Sequence, residues 1–432
     1  MDYKEAAKNL INTISECVSP FHVVKHSAEV LKDADFKQLD LNNMWKLNSG
    51  GKYYVQVFDS SIVAFTIGEK ENEDKNNNIR IATAHCDFPC LRIKPNSEIK
   101  ESGYLKLNVE MYGGAILNTW LDRPLSIAGK VVLKSEDIFN PKVRLVDIER
   151  PVLTVPNLAI HINRDVNKGY ELNKQKDMLP ILDTIKDDVN EKGRLLKLIA
   201  DEINVNPDDI LDMELCAYQC EKGAVVGMDR TMVSSPRLDN ITSVEACLYG
   251  ITRAKRSKGI NMIAMFDNEE VGSKSKQGAG STILANILER IYLSLGYSRE
   301  DYLTDSANGR IISADVAHCV HPNYVEKNDI TSKATLNGGV VIKKDSTQKY
   351  ANDAQGVAIV KGLCDNAGVK SQVFVNRSDG TGGSTLGSIV STVLPMRTID
   401  VGVPLLAMHS ARELMGVKDQ YYLNEMIRQL FS

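Results

Sequence analysis

No apolar run in this 432-residue chain approaches the roughly 20 residues that a membrane-spanning helix needs. Nor does a basic stretch followed by a long apolar one open it. The N-terminal segment MDYKEAAKNLINTISECV is amphipathic, so no secretory leader is expected and the cytoplasm is the expected compartment. There is no excess of positive charge. Lys and Arg number 52 against 56 Asp and Glu, a formal net charge of −4. That balance provides no electrostatic reason to expect nucleic acid or an anionic membrane as partner. CxxC pairs are missing as well. The eight cysteines are spread along the chain, and the tightest spacings, Cys86/Cys90 and Cys216/Cys220, are looser than a zinc-cage pair. Reduced, incidental buried thiols are the expected reading. No Walker lysine follows the glycine-rich run Asp379–Ser384 and no dinucleotide fingerprint fits, so a nucleotide cradle is a weak reading of that run. No internal repeat is found.

What is present suits an ordinary globular protein: 43% hydrophobic and 25% charged residues. The length favours two domains, or one domain carrying a large insertion. Two helices open the chain, about Lys4–Glu16 and a second announced by Ser19-Pro20, a cap residue before a first-turn proline. Alternating runs Tyr53–Phe58 and Ile62–Ile67 predict a hairpin. The charged run Glu69–Asn78 predicts a solvated loop. Ile79–Ala84 is an apolar strand that delivers His85 and Asp87 at its end. From about Leu91 to Met228 the chain is β-rich, with one helix near Gly193–Ile203. From about Arg230 helices and strands alternate, which implies a mostly parallel sheet covered by helices. The expected fold class is therefore α/β: a helix-covered, mostly parallel sheet formed by residues 1–91 and 230–432, with an inserted β-rich domain over 92–229.

Five segments place carboxylates or imidazoles where strands should end: Thr83–Asp87, Arg237–Asn240, Phe266–Glu270, Ser313–Asp315 and Met408–Ser410. In open α/β sheets ligands bind beyond the carboxyl ends of strands, so these segments can converge. A pair of divalent ions about 3.5–4 Å apart needs a bridging carboxylate and a few further nitrogen and oxygen ligands. His85, Asp239, Glu270, Asp315 and His409 supply two imidazoles and three carboxylates without a thiolate. Such a set suits Zn, Co or Mn. In His85-x-Asp87 the two side chains of a strand point the same way, so the carboxylate can take the second imidazole N–H and fix its tautomer. In Glu269-Glu270 adjacent side chains diverge, so one can bind metal while the other acts as general base.

The segments SPRLDNI, DNEEVGS, SADVAH, NRSDGTGGSTLG and AMHSARE resemble those of the aspartyl aminopeptidase family, which includes vacuolar aminopeptidase I, in the family's order and over essentially the whole chain. TAHCDFPCLRIKP resembles its first metal motif, with Cys86 and Phe88 where small polar residues are usual. The resemblance implies an aminopeptidase with two divalent ions per subunit, zinc first and Co or Mn as options. His85 and Asp315 would bind one ion, Glu270 and His409 the other, and Asp239 would bridge them, with a cis peptide to Asn240. Glu269 would be the general base and Asp87 would orient His85. His161 in PNLAIH resembles a histidine that reaches the active site, apparently of a neighbouring subunit, where it could stabilise an oxyanion. Lys343 in GGVVIK resembles a substrate-recognition residue that could pair with an acidic N-terminal side chain. Arg237 and Asp122 are weaker positioning candidates, and His318 and His321 read as structural. A homo-oligomer such as a dodecamer, acting on peptides, is implied. The alternatives are a two-metal amidase or carboxypeptidase acting on N-acyl amino acids, and a silent scaffold; the latter predicts a lost ligand or base, and none is lost.

Overall fold

The computed structural model describes residues 2–69, 79–186, 193–380 and 382–432. Most of the charged run Glu69–Asn78 and Thr381 of the glycine-rich run therefore lie outside the described residues. The chain forms two compact units. One comprises Met1–Asp87, Gly223–Met408 and Glu413–Ser432; the other comprises Phe88–Lys222 and His409–Arg412. The sequence places the boundaries at 91/92 and 229/230; in the structure the chain leaves the first unit directly after Asp87.

The first unit is built on a nine-stranded sheet in the order Lys37–Leu39, Lys52–Val57, Ser61–Ile67, Ile260–Phe266, Ile79–His85, Arg310–Ala314, Arg397–Gly402, Val340–Lys344, Ser371–Val375. Its four central strands, from Ile260–Phe266 to Arg397–Gly402, run parallel to one another. The hairpin strands Lys52–Val57 and Ser61–Ile67 pair antiparallel, as their alternation predicts. Because strand side chains alternate between faces, Ile79 and Ile81 join Met262, Ala264 and Phe266 in one core with Leu284, Ile287, Leu288 and Ile291 of the helix Ile283–Ser294. Against strand Ile79–His85 also packs the helix Leu238–Arg253, which meets the C-terminal helix Asp419–Leu430. Ser19 caps Pro20–Asp33, its Oγ accepting from the His22 amide, so the serine–proline signal acts as the sequence suggests. A second, five-stranded sheet of short strands links Ala224–Val226, Met232–Ser235, Glu413–Gly416, Pro404–Leu406 and Ala317–His318.

The second unit is β-rich. Its six-stranded sheet runs Lys142–Asp147, Leu125–Leu133, Ile210–Gln219, Cys90–Glu101, Tyr104–Tyr112, Ile181–Thr184, with every neighbour antiparallel. Leu107, Val109, Ile127, Val131 and Leu215 form its core with Leu195 and Ile199 of the helix Arg194–Glu202. No helix among the described residues is long and apolar enough to cross a membrane.

Candidate active site and metal centre

Three parallel strands of the first unit end side by side, one closing on His85 and the other two followed directly by Asp267 and Asp315. The apolar strand residues bury the backbone, and the polar residues follow where the sheet stops. His85 is 1% exposed, Asp239 4% and Asp315 8%. The His85 Nε2 lies 3.3 Å from Asp239 Oδ1 and 3.4 Å from Asp315 Oδ1. One donor atom from each of the three lies within 4.8 Å of the other two, and the carboxylate oxygens of Asp239 and Glu270 are within the same reach.

Burial by itself would keep the His85 imidazole neutral. The carboxylates of Asp239, Asp315 and Asp87 nevertheless raise its pKa well above the usual value. Burial likewise pushes Glu269 up to about 8: nearby His85 pulls the other way, while Asp315, Asp87 and Asp239 add to the rise. So much negative charge in a nearly closed space suits a bound cation. The donor set is imidazole plus carboxylate, which fits Zn, Co or Mn. No thiol competes. Burial, then Asp267 and Asp87, raises the Cys86 thiol well above its usual range. The Cys216 and Cys220 thiols donate to the carbonyls of Ala128 and Pro124.

Each turn that carries these groups is tied to another part of the sheet. The Asp87 carboxylate, 0% exposed, accepts the backbone N–H of Glu269 and of Glu270, each at 3.1 Å. Its link to His85 differs from the expected one. Nδ1 sits 3.0 Å from the Asp87 backbone carbonyl and 3.5 Å from the carboxylate, so the main chain makes the shorter contact. Asn268, at φ 65°, opens the Glu269–Val271 turn, and Ser61 Oγ accepts the Asp267 N–H at 2.8 Å. Asp239 has φ −81° and ψ 106° inside helix Leu238–Arg253, and the Asp239–Asn240 peptide is cis. Asn240 Nδ2 donates to Ala314 O at 3.0 Å, next to Asp315. Glu413 Oε2 accepts the Asp239 N–H at 2.9 Å. Glu413 is a residue the sequence reading passed over, although it ends the AMHSARE segment.

Lys343 is 2% exposed, not solvent-facing. Its Nζ donates to Asp315 Oδ2 at 3.1 Å and to Val316 O at 2.7 Å, and lies 5.3 Å from the Tyr350 ring centroid. Burial opposes the ammonium, but Asp315 and Asp400 hold its pKa above the usual value. Burial also opposes the Asp315 carboxylate, and Lys343 with His85 keeps it ionised. Two further candidates belong to the second unit. His409 heads the segment His409–Arg412, and its Nδ1 lies 3.1 Å from Gly114 O while its own carbonyl accepts the Ile116 N–H at 3.0 Å. An Nδ1–H donated to a carbonyl makes Nε2 the lone-pair nitrogen, the tautomer a metal ligand needs. His161 is exposed on a turn, flanked by Leu158, Ile160 and Ile162 at 55%, 49% and 74% exposure. Asp122 holds Asn157 through its N–H and Nδ2, Arg237 donates to Ile14 O, and His318 packs near Phe374.

Comparison with known proteins adds an independent line. The sequence model of the family described as aminopeptidase I zinc metalloprotease (M18) matches residues 13–431. The chain is 47% identical over 427 residues to the "Probable M18 family aminopeptidase 2" of Clostridium novyi, covering 99% of this chain and 98% of the relative. It is 45% identical over 429 residues to the protein of that name from Clostridium acetobutylicum, covering 99% of each. Among solved structures, a chain of the cryo-EM structure of the Ape4 and Nbr1 complex superposes with a TM-score of 0.95 at 34% identity, over 99% of this chain and 86% of that one. The S. cerevisiae mApe1 dodecamer superposes with a TM-score of 0.86 at 27% identity, over 99% and 97%.

Proposed function

This chain belongs to the M18 family of aminopeptidase I zinc metalloproteases, and from that premise we propose that it releases the N-terminal residue of peptides with two divalent ions, zinc first. The observation that carries the reading is the convergence of His85, Asp239 and Asp315 beside a Glu269–Glu270 turn pinned by Asp87. In this reading His85 and Asp315 would hold one ion, Glu270 and His409 would hold the other, and Asp239 would be shared by both. Bound there, the ions would polarise the scissile carbonyl and ease deprotonation of the attacking water.

The chain's own groups do the rest. Glu269 takes the proton from the water and returns it to the leaving amine, and Asp87 keeps the backbone of that turn in place. His85 keeps Nε2 aimed at the carboxylates because its Nδ1 is engaged on the Asp87 carbonyl. Lys343 has three N–H groups, two of which serve Asp315 and Val316. The third is the one an acidic N-terminal side chain would use, which gives a preference for Asp or Glu. His161, exposed on its own subunit, would donate to the oxyanion in a neighbour's site, within a homo-oligomer such as the dodecamer of the mApe1 structure. The expected setting is the cytoplasm, with peptides as partners and neither nucleic acid nor membrane.

The test uses chelator-treated enzyme resupplied with Zn, Co or Mn and offered aminoacyl-p-nitroanilides with free or acylated amines. Metal-restored release from free-amine substrates is expected. Cleavage of the N-acylated ones alone would transfer the site to the amidase reading. Lys343→Met should lose Asp substrates more than Leu substrates; equal losses remove Lys343 from selectivity.

A further inference from the structure

The geometry points to Glu413 as a positioning residue that sets the backbone of Asp239, and through it the aim of the carboxylate that would meet the ions. Glu413 is 3% exposed and opens the strand Glu413–Gly416. That strand pairs antiparallel with Met232–Ser235 in a register that puts Glu413 opposite Ser235. From Ser235 the chain turns sharply, through Arg237 at φ 55°, into Asp239. Glu413 reaches across this turn, and its Oε2 takes the Asp239 N–H at 2.9 Å.

The first N–H groups of a helix have no partner within the helix and need one from elsewhere. Asp239 stands in that first turn with non-helical backbone angles, so its carboxylate direction depends on what its amide is tied to. On the other side of the Asp239–Asn240 bond, Asn240 ties the chain to Ala314 O at 3.0 Å. The bridging carboxylate is thus gripped from both ends, by a strand paired in the five-stranded sheet and by a strand of the nine-stranded sheet. Partners of this kind behind a metal ligand change affinity by about 10–100-fold.

This inference rests on the two-ion reading above. Two conservative variants separate reach from charge. Glu413→Asp keeps the charge but draws the oxygen back by about one C–C bond, roughly 1.5 Å. Glu413→Gln keeps the reach and an acceptor oxygen but loses the charge. The full-length metal-free protein is titrated with Co(II), following bound cobalt by equilibrium dialysis and its visible absorption. The wild-type protein should take two equivalents. Glu413→Asp should bind the second about 10–100-fold more weakly with an altered spectrum, and Glu413→Gln should stay within about threefold of wild type. Wild-type affinity and spectrum in Glu413→Asp would overturn the role of Glu413 alone, as would a Glu413→Gln as weak as Glu413→Asp. A wild-type protein that takes fewer than two equivalents would overturn the two-ion reading and this inference with it.

Discussion

Replacing Asp87 by Asn separates two roles that the structure assigns to one residue. The His85 imidazole is held at 3.0 Å by the Asp87 backbone carbonyl, which the substitution leaves untouched. The carboxylate holds the amides of Glu269 and Glu270, each at 3.1 Å. A carboxamide offers one oxygen and one NH2 group, so it can satisfy one of those amides and must face the other with a donor. A charge-assisted hydrogen bond is worth about 1.5–3 kcal/mol, and a buried amide left unsatisfied costs about 1–3 kcal/mol. The expected cost is therefore about 3 kcal/mol, concentrated on the turn that carries Glu269. Expressed in the transition state, that is about 100-fold in turnover. The assay is kcat and KM at saturating metal, alongside the Co(II) affinity of the His85–Asp315 pair. The expected pattern is a loss of about two decades in kcat with metal affinity nearly unchanged. If Asp87→Asn instead lost metal while its kcat at saturating metal stayed within about twofold of wild type, the carboxylate would act through His85, and the backbone argument would be wrong.

Three further outcomes are expected. Glu269→Gln should retain its metal, measured by dialysis, and lose at least about 100-fold in kcat, since a carboxamide cannot accept the proton. Gly402→Ala should cost more than about 4 kcal/mol or yield no folded protein, read from soluble yield and Tm, because a Cβ there would lie 1.6 Å from the Asp315 carbonyl oxygen. His22 is 8% exposed with Nδ1 at 2.8 Å from Ser19 Oγ, and burial lowers its pKa from 6.5 to about 4. The folded state then binds fewer protons than the unfolded one, so this contribution is complete above pH 6.5 and is lost as pH falls toward 4, by about 3 kcal/mol in all. His22→Gln should remove that part of the slope from urea-denaturation curves taken across the window; an unchanged slope would mean that the imidazole binds its proton equally in the folded and unfolded states.

Much of the central sheet was legible because its strands are continuous apolar runs. Ile79–His85, Ile260–Phe266 and Arg310–Ala314 could be located within a residue or so, and the chemistry-bearing residues follow directly after them. The short strands of the five-stranded sheet were not, since three residues such as Ala224–Val226 or Pro404–Leu406 are too few to show a period. The helix Leu238–Arg253 reads from the sequence only from Thr242, because Asp239 and Asn240 break the helical pattern at its start. The helix Arg299–Ala307 was missed although Ser298 and Asp301 form a capping box that signals it. Glu413 escaped because its partner Asp239 is 174 positions away and no local spacing links them. Lys343 belongs to a buried strand, and only Asp315, 28 positions away, explains why a lysine can stand there.

The four residues His409–Arg412 have a consequence for how this protein could have been assembled from parts. They fold with the β-rich unit although the chain on both sides of them belongs to the other one. Within that unit His409 leans on Gly114, and the Ala411 N–H is taken by Thr119 Oγ1 at 2.9 Å. The β-rich segment is therefore no detachable cassette. Cutting out Phe88–Lys222 would leave every residue of the AMHSARE segment in the gene and strip its histidine of the scaffold that orients it.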